Sequence, residues 1–245
     1  MSTVAIIQAH MGSSRLPGKV LLDLAGKPVL LRVVERVQHI QLVENLIVAI
    51  SNLPGDDILA KKCEMWGIPV YRGDDRDVLS RFRGAAESAN ADVCVRITSD
   101  CPLLDPGVSN MIINTFLSED PSVDYASNKI PQSFPRGLDT EVFTIDALRR
   151  ADELARRMCD RTHVTLFMYE NPDKFRLRSV ISNVNRAHWR WTLDTQEDYE
   201  FLCEVYARLP CGDPIVWEKV VQLLEREPSL MEINAHVHQK EVQEG

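Results

Sequence analysis

Hydrophobic and polar positions follow two different periods along the first half of the chain. Short continuous apolar runs are typical of buried parallel strands. Such runs occur at 4–7, 46–50, 70–71 and 93–97. Apolar residues at helical spacing predict helices that open at Pro28 and cover 56–66, 78–89 and 107–117. Strand and helix therefore alternate from residue 4 to about 117, which predicts a wound α/β sheet.

The pattern becomes irregular after Asp124. Residues 128–137 contain two prolines and a glycine, which predicts an extended loop. The later predicted elements are strand 138–143, helices 145–158 and 161–170, strands 175–181 and 188–193, a helix from Thr195, and a helix over about 214–226. Thr195 and Asp198 have the spacing of a capping box, with Asp in place of the usual Glu or Gln. The polar last ten residues are expected to be frayed or bound to a partner.

The composition is typical of a soluble globular enzyme. The 245 residues are 44% hydrophobic and 26% charged, and a chain of this length can form a core without disulfides or structural metal. A net charge of −8 argues against a broad nucleic-acid surface, which needs clustered Lys and Arg. Since no segment is long and apolar enough to span a bilayer and the N-terminus lacks a signal-peptide pattern, we expect a cytoplasmic protein. The six cysteines lack metal-ligand spacing and are expected to be reduced thiols.

A loop rich in glycines, hydroxyls and cations follows the first strand, at residues 9–19. Its backbone N–H groups could wrap phosphate oxygens, and Arg15 and Lys19 could hold a triphosphate. A P-loop is excluded, because five residues rather than four separate Gly12 from Gly18 and no hydroxyl residue follows Lys19. On spacing alone, the loop could equally bind phosphate or be a plain solvent-facing connector.

Two carboxylates lie where a predicted strand gives way to a turn. Asp100 comes just after strand 93–97, and Asp194 lies between strand 188–193 and the capped helix. Such turns gather at one edge of a wound sheet, where open α/β sheets bind ligands. Carboxylates suit Mg²⁺, which prefers a few of them plus substrate phosphates. Each residue alone could instead cap a turn or a helix, and only the combination with the 9–19 loop favours a metal–nucleotide site.

The 9–19 loop resembles the nucleotide loop of the acylneuraminate and 3-deoxy-manno-octulosonate cytidylyltransferases, which carry an Ala-Arg-x-x-Ser-x-Arg-Leu-Pro-x-Lys-like signature. Within that superfamily, the chain is most similar to the spore coat polysaccharide biosynthesis F-type proteins. The segments that carry the resemblance are 7–22, 25–30, 95–103, 134–139 and 193–198. The resemblance implies a glycosyltransferase-A-like, Rossmann-like three-layer α/β fold with a mostly parallel central sheet. It also implies CTP as donor, Mg²⁺ as cofactor and a homodimer.

The same resemblance implies roles for individual residues. Catalysis would depend on Arg15, Lys19 and Asp100. The nucleotide would be bound by Ala9, His10, Met11, Gly12, Ser13, Arg15 and Lys19. The metal would be held by Asp100 and Asp194. The chain would form a single domain over 1–245. An excursion from that domain, at about 124–185, would provide the acceptor-binding and dimer-forming elements. Acceptor contacts would come from Arg136, Asp139, Glu141 and His163.

The implied reaction transfers CMP from CTP to a sugar or sugar-acid acceptor, with release of pyrophosphate, in cell-surface polysaccharide biosynthesis. One alternative is a nucleotide-sugar-dependent glycosyltransferase, although the Asp-x-Asp pair common in such enzymes is absent around Asp100. Another is a non-catalytic nucleotide-binding protein of the same pathway. His10 favours this last reading, because it takes the place of a family Arg and imidazole is mostly neutral near pH 7.

Overall fold

The computed structural model of the chain describes residues 1–119, 123–209 and 215–240. The strands are β1 Thr3–Gln8, β2 Asp23–Leu24, β3 Lys27–Pro28, β4 Asn45–Ser51, β5 Val70–Gly73, β6 Val93–Thr98, β7 Tyr125–Ser127, β8 Glu141–Thr144 and β9 Leu177–Ser179. The helices are α1 Val29–Gln38, α2 Asp57–Met65, α3 Val78–Ser88, α4 Pro106–Glu119, α5 Ile145–Leu154, α6 Met158–Thr162, α7 Leu166–Tyr169, α8 Gln196–Arg208, α9 Trp217–Arg226 and α10 Ser229–Glu232.

Seven strands form one sheet in the order β5-β4-β1-β6-β8-β7-β9, and β2 and β3 form a separate hairpin. β1 is parallel to β4 on one side and to β6 on the other, and β4 is parallel to β5. β8 runs antiparallel to both β6 and β7, while β7 and β9 are parallel. The prediction of an α/β fold with a mostly parallel central sheet is confirmed.

The strand order reverses next to β1, and this reversal positions the site. The chain leaves β1 for β4 and β5 on one side, then crosses to β6 on the other side. The loops that follow β1 and β6 therefore lie side by side at the carboxyl edge of the sheet, at the point where the strand order reverses. Open α/β sheets bind their ligands at such a point.

Helices cover both faces of the sheet, as a three-layer arrangement requires. In β1, Ala5 and Ile7 pack into a core with α1, α4, α8 and α9. Val4 and Ile6 point to the opposite face and pack with α3 and α5. All four side chains are fully buried, which explains why this strand is a continuous apolar run rather than an alternating one. No helix in the described part of the chain is long and apolar enough to cross a membrane.

Most predicted elements of the first half are confirmed within a few residues at their ends. The capping box of α8 is also confirmed: the Thr195 side chain accepts from the Asp198 N–H, and the Asp198 side chain accepts from the Thr195 N–H. The predicted strands 138–143 and 175–181 are shorter, as β8 and β9. The helix predicted at about 214–226 is α9, and residue 214 lies outside the described ranges.

The strand predicted at 188–193 is wrong. Only one isolated bridge forms there, between Arg136 and Arg190. The Arg136 N–H donates to the Trp189 carbonyl and the Trp191 N–H donates to the Arg136 carbonyl. Pro135 has no N–H to donate and Gly137 turns the partner segment at φ 106°, so the ladder does not extend. The alternating pattern instead reflects burial of Trp191 in the core.

The helical region after β8 is more broken than its periodicity predicts. The predicted helix 145–158 ends at Leu154, and the predicted helix 161–170 divides into α6 and α7. Val164 lies between α6 and α7 at φ 54°, a left-handed conformation that a right-handed helix cannot contain. The β2–β3 hairpin, β7 and α10 were not predicted, because each is too short to show a period.

All five cysteines in the described ranges are free thiols, as expected. Cys211, the sixth, lies outside those ranges.

Candidate active site

The loop at residues 9–19 is folded back on itself by backbone hydrogen bonds. The Ala9 N–H donates to the Ala49 carbonyl (3.1 Å), which continues the pairing with β4. The Gly18 N–H donates to the Met11 carbonyl (3.0 Å), and Gly18 adopts φ 72°, which glycine does at little steric cost. The loop is therefore a closed turn that starts at the sheet edge and ends at Lys19.

Asp56 ties this loop to the end of β4. Its carboxylate accepts from the Met11 N–H (2.7 Å), the Ser51 N–H (3.0 Å) and the Ser51 hydroxyl (2.6 Å). The side chain is buried, so these bonds are shielded from water. Sequence reasoning missed Asp56, because an acidic residue beside Pro54 and Gly55 is ordinary turn composition. We infer that it positions the loop rather than contacting a ligand.

Lys19 is the centre of the site. The side chain is almost fully buried although it carries a charge. Its Nζ donates to Asp100 Oδ2 (3.0 Å), Asp194 Oδ1 (2.8 Å) and the Leu193 carbonyl (2.6 Å). Burial alone would lower the pKa of Lys19, but the two aspartates outweigh that effect and raise the pKa above its usual value. Loops after β6 and before α8 thus bring two carboxylates to one cation.

Both carboxylates have further partners besides Lys19. Burial would raise the pKa of Asp100, but Lys19 and hydrogen bonds from Thr98 and Cys101 hold that pKa far below its usual value. Asp194 Oδ2 lies 2.8 Å from Nη2 of Arg15 and 2.7 Å from Nη2 of Arg190. The predicted phosphate residue Arg15 therefore contacts a predicted metal ligand in this structure.

Arg190 is a second residue that sequence reasoning missed. An arginine between two tryptophans gives no signal of a site, yet Arg190 is buried and binds Asp198 through Nε and Nη2 (2.8 and 2.9 Å) as well as Asp194. Asn234 donates to the Arg190 carbonyl and to Asp198, both at 3.0 Å. The position of Asp194 is thus held by a buried network anchored in α8.

Two cavities open along this edge of the sheet. The Arg81 cavity has a volume of about 580 Å³, and its wall includes Gln8, His10, Met11, Gly12, Asp56 and Arg81. The Lys19 cavity has a volume of about 680 Å³, and its wall includes His10, Gly12, Ser13, Arg15, Lys19, Asp100 and Asp194. His10 and Gly12 line both cavities, so the two are adjacent. Ala9, also predicted to bind the nucleotide, lines neither cavity and is buried in the core.

His10 is electrically neutral at this junction. Burial and the nearby Lys19 lower its pKa, and the opposing effect of Asp56 is smaller. The imidazole therefore does not supply the permanent positive charge of the family Arg. It offers one hydrogen-bond donor and one acceptor instead.

Three of the four predicted acceptor residues line the Lys19 cavity. They are Arg136, Asp139 and His163, and Lys129 and Tyr169 lie in the same wall. Asp139 accepts from Gln132 Nε2 (2.9 Å), and burial raises the pKa of its carboxyl against the pull of Lys129. The wall of this cavity thus combines Arg15, Lys19 and the aspartate pair with a further set of cationic, acidic and imidazole side chains.

Glu141, the fourth predicted acceptor residue, does not line this cavity. Its carboxylate is buried, 2.5 Å from Arg96 Nη1 and 3.0 Å from Lys129 Nζ. Tyr125 and Thr165 also donate to it. With its oxygens engaged by four donors, Glu141 acts on the cavity through Lys129, which lines it. Glu141 on β8 is paired in register with Arg96 on β6, so the two side chains lie side by side on the same face of the sheet.

The end of the described chain lies against the same site. Gln239 Oε1 accepts from Arg190 Nη1 (2.7 Å), and the His238 carbonyl accepts from Arg15 Nη1 (3.4 Å). Lys240 Nζ lies 3.5 Å from the Ser14 hydroxyl and lines the Lys19 cavity. Residues 238–240 therefore contact the site, and the binding of this end to a partner stays a prediction. Residues 241–245 lie outside the described ranges.

The aspartate pair fits a divalent metal ion by its donor chemistry. Within the described ranges, no group of three or more His, Cys, Asp or Glu side chains converges on one point. Asp100 and Asp194 nevertheless lie within 3.0 and 2.8 Å of one Nζ, so they already enclose a cationic group. Mg²⁺ commonly takes one or two carboxylates and completes its shell with waters and substrate phosphates, so a larger cluster is not required.

A switch-point crevice with a closed backbone turn and a shared carboxylate pair is the arrangement of a Rossmann-like nucleotidyltransferase. The sequence profile of the family described as Cytidylyltransferase matches residues 4–242, almost the whole chain. The chain therefore belongs to the cytidylyltransferase family.

Individual relatives agree with this assignment. The spore coat polysaccharide biosynthesis protein SpsF of Bacillus subtilis is 31% identical over 230 residues, which cover 91% of this chain and 94% of SpsF. The structure of a cytidylyltransferase from Leptospira borgpetersenii matches with a TM-score of 0.91 and 29% identity, over 98% and 99% of the two chains. CMP:2-keto-3-deoxy-manno-octonic acid synthetase, solved with CTP, shares the fold at a TM-score of 0.66 and 19% identity, over 85% and 99% of the two chains.

Proposed function

We propose that the protein transfers CMP from CTP to a hydroxyl group of a sugar or sugar acid, releases pyrophosphate and uses Mg²⁺. The observation that carries this proposal is the convergence of Asp100 and Asp194 on Lys19 beside two adjacent cavities. The family assignment supports the cytidylyl donor. The polysaccharide pathway named for SpsF and the sugar acid named for the octonic acid synthetase support the acceptor class.

The two cavities accommodate different parts of the substrates. The cytidine moiety occupies the Arg81 cavity, and the phosphates pass His10 and Gly12 into the Lys19 cavity. Arg15 donates hydrogen bonds to phosphate oxygens, for which charged donors are stronger than neutral ones. Lys19 does so in exchange for one of the three acceptors that its ammonium group now holds. The acceptor lies at the end of the Lys19 cavity that holds Arg136, Asp139 and His163.

The reaction is an in-line displacement at the α-phosphorus. An acceptor oxygen forms the new P–O bond as the bond to the β-phosphate bridging oxygen breaks, and the hydroxyl proton passes to solvent or a base. A Mg²⁺ ion held by Asp100 and Asp194 would neutralise charge on the phosphates as they separate. Lys19 and Arg15 stabilise the leaving pyrophosphate, and Asp56 keeps the loop that carries them in register with β4. The reaction needs no covalent bond between the protein and the substrate.

The metal assignment is tested by Asp100→Asn and Asp194→Asn. Each change removes one charge from the pair while preserving side-chain size. We expect Mg²⁺-dependent pyrophosphate release, measured with CTP and a panel of sugar acids, to fall roughly 100-fold or more, the scale typical for loss of one preorganised electrostatic contact.

Asp92→Asn is the matched control. Asp92 is exposed and its carboxylate accepts from the Ser2 N–H and lies 3.9 Å from the N-terminal ammonium, away from the site, so we expect full activity from that variant. Unchanged pyrophosphate release in both site variants would refute the metal assignment. Turnover of CMP- or UDP-sugars without any use of free CTP would instead support the glycosyltransferase alternative.

Three further features remain predictions. They are the homodimer, the cytoplasmic location and the excursion at 124–185 from a single domain over 1–245. Light scattering coupled to size-exclusion chromatography measures the first directly.

A further inference from the structure

The ammonium group of Lys19 lies between the two carboxylates that are proposed to hold the metal ion. Nζ is 3.0 Å from Asp100 Oδ2 and 2.8 Å from Asp194 Oδ1, and it also donates to the Leu193 carbonyl at 2.6 Å. An ammonium group has three N–H donors, so all of its donors are engaged within the protein. Because the Lys19 side chain is 6% exposed, water screens these contacts little. The aspartate pair thus already has a cation in place.

Both oxygens of Asp194 are engaged by cations. Oδ1 contacts Lys19 Nζ, while Oδ2 lies 2.8 Å from Arg15 Nη2 and 2.7 Å from Arg190 Nη2. Arg190 is fixed by two further bonds to a carboxylate of α8, at 2.8 and 2.9 Å. Among the described residues, Lys19 is the cation that contacts Asp194 and Asp100 together. A divalent ion shared by both carboxylates would therefore compete with Nζ for the same two oxygens.

Charges at this centre balance without a metal ion. Three cations and three carboxylates contact one another there, namely Arg15, Lys19 and Arg190 with Asp100, Asp194 and Asp198. A bare divalent ion would add two positive charges to side chains that are largely shielded from water, and uncompensated charge is costly in such a place. A triphosphate brings negative charge that offsets the ion, and it offers oxygens to a displaced ammonium group. Metal and nucleotide are therefore expected to enter together.

Only the side chain of Lys19 has to move in such an exchange. The Lys19 N–H donates to the Leu16 carbonyl (3.2 Å), and the Lys19 carbonyl accepts from the Leu22 N–H (3.2 Å), so the backbone is held in a turn. The side chain lines the Lys19 cavity, into which the phosphates are proposed to enter. Lysine carries a compact charge on a flexible four-carbon stem, so Nζ can exchange one oxygen for another while the backbone stays in place.

We propose that the Lys19 ammonium group is the resident cation of the aspartate pair and keeps a divalent ion from binding there until the triphosphate arrives. Lys19 Nζ then exchanges at least one aspartate oxygen for a phosphate oxygen, and the vacated oxygen becomes available to the ion. The inference rests on the proposed function, which assigns the metal to this pair and the phosphates to this cavity. In addition to its contact with the phosphates, Lys19 thus makes metal binding depend on the nucleotide.

The test measures the binding of Mn²⁺ to the protein without nucleotide, from the electron paramagnetic resonance signal of free Mn²⁺. Lys19→Met removes the charge and keeps a side chain of similar length. We expect Lys19→Met to bind Mn²⁺ about 5- to 150-fold more tightly than the wild type, the range in which one bound group usually changes the affinity for another. Asp194→Asn in the Lys19→Met background should abolish that gain, because the gain depends on the aspartate pair.

Lys61→Met is the matched control, because Lys61 is exposed on α2 and lies outside the wall of the Lys19 cavity. It should bind Mn²⁺ as weakly as the wild type. Melting curves give a second readout. Lys19→Met leaves two carboxylates without Nζ, so its Tm should be lower than that of the wild type and should rise when Mn²⁺ is added. The Tm of the nucleotide-free wild type should not rise with Mn²⁺.

The wild-type protein supplies a test that does not depend on whether the variant folds. Water-proton relaxation should detect Mn²⁺ bound to the protein after CTP is added and not before. Binding of Mn²⁺ by the nucleotide-free wild type, with an affinity that CTP does not change, would overturn the proposal.

The outcomes separate this inference from the proposed function. If CTP brings Mn²⁺ to the wild type but Lys19→Met gains no affinity for Mn²⁺ alone, the competition is refuted and the proposed function stands. If Lys19→Met gains affinity but CTP does not bring Mn²⁺ to the wild type, Lys19 does occupy the site of a divalent ion and the cytidylyl donor is wrong.

Discussion

Charged side chains at this site are buried in groups that neutralise one another. Lys19 meets Asp100 and Asp194, while Arg96 and Lys129 meet Glu141. Removing one member of such a group leaves an uncompensated charge in a low-dielectric interior, and that is more costly than the net value of the pair. Single substitutions in these groups should therefore have large effects on stability as well as on binding.

Glu141→Gln tests the buried group formed by Arg96, Lys129 and Glu141. Within the described ranges, the change removes the one carboxylate that pairs with Arg96, so we expect the free energy of unfolding at pH 7 to fall by about 3–5 kcal/mol. Chemical denaturation measures it. Glu153→Gln is the control, since Glu153 is exposed on α5. A loss no larger than that of the control would show that the buried pairing contributes little.

The same carboxylate makes the stability of the wild-type protein fall in acid. Burial would raise the pKa of Glu141, but Lys129 and Arg96 lower it from 4.5 to about 2. A lowered folded-state pKa gives stability that is fully present above pH 4.5 and lost as the pH falls through 2. The full difference corresponds to about 3 kcal/mol. Denaturation curves of Glu141→Gln should show a smaller loss than the wild type across this window.

His10 predicts a pH effect in a higher window. Its pKa is lowered by burial and by Lys19, so acid favours the unfolded chain, where the imidazole protonates more readily. The contribution of His10 should be constant above pH 6.5 and should decline below it. We expect the free energy of unfolding of His10→Gln, measured with urea, to change less between pH 7.5 and 5.5 than that of the wild type. The control is His39→Gln, at the exposed end of α1, which should leave the wild-type slope unchanged. Equal slopes in all three proteins would contradict the neutral imidazole.

At the scale of elements, the second half of the chain differs most from expectation. The C-terminal residues 238–240 are one such case, because they contact Arg15, Arg190 and Ser14 and add Lys240 to the Lys19 cavity. Their composition alone is typical of a solvent-exposed chain end. The contacts with Arg15 and Ser14, more than two hundred positions away in the sequence, and with Arg190 give these residues a defined place.

Lys240→Gln tests this segment. Lys240 adds a cation beside the 9–19 loop of a site where His10 is neutral, so its loss should weaken CTP binding about 3- to 10-fold, the scale of one hydrogen bond of ordinary strength. Binding of CMP should change much less, because CMP lacks the outer phosphates. Lys219→Gln, an exposed position on α9, is the calorimetric control. Equal losses for CTP and CMP would argue against a contact with those phosphates.

At the scale of the whole molecule, ligand binding should be visible as global stabilisation. A ligand at 100 times its Kd adds roughly 2.7 kcal/mol, and each kcal/mol raises the Tm by about 2–4 °C at this chain length. We expect CTP with Mg²⁺ to raise the Tm by roughly 5–10 °C, more than UTP, ATP or GTP. Melting curves with and without Mg²⁺ measure both preferences. A Tm shift of the same size with and without Mg²⁺ would show that the nucleotide binds independently of the metal.

Local patterns determined much of the architecture. Strands β1, β4 and β6 are buried on both faces, so their apolar runs are unambiguous, and amphipathic helices such as α3 follow from spacing alone. The candidate residues Arg15, Lys19, Asp100 and Asp194 follow from the rule that loops at the carboxyl edge of a wound sheet meet. Resemblance to a family then added the chemistry.

Only the tertiary structure decided which side chains meet. Asp56 and Arg190 carry no local signal, because their roles depend on partners from other parts of the chain. Glu141, which was predicted to contact the acceptor, is buried and paired with Arg96. A single bridge forms where a strand was predicted at 188–193. Periodicity reports which face of an element is buried. Hydrogen bonds and ion pairs between distant loops depend on the packed arrangement, and hydrophobic spacing does not encode them.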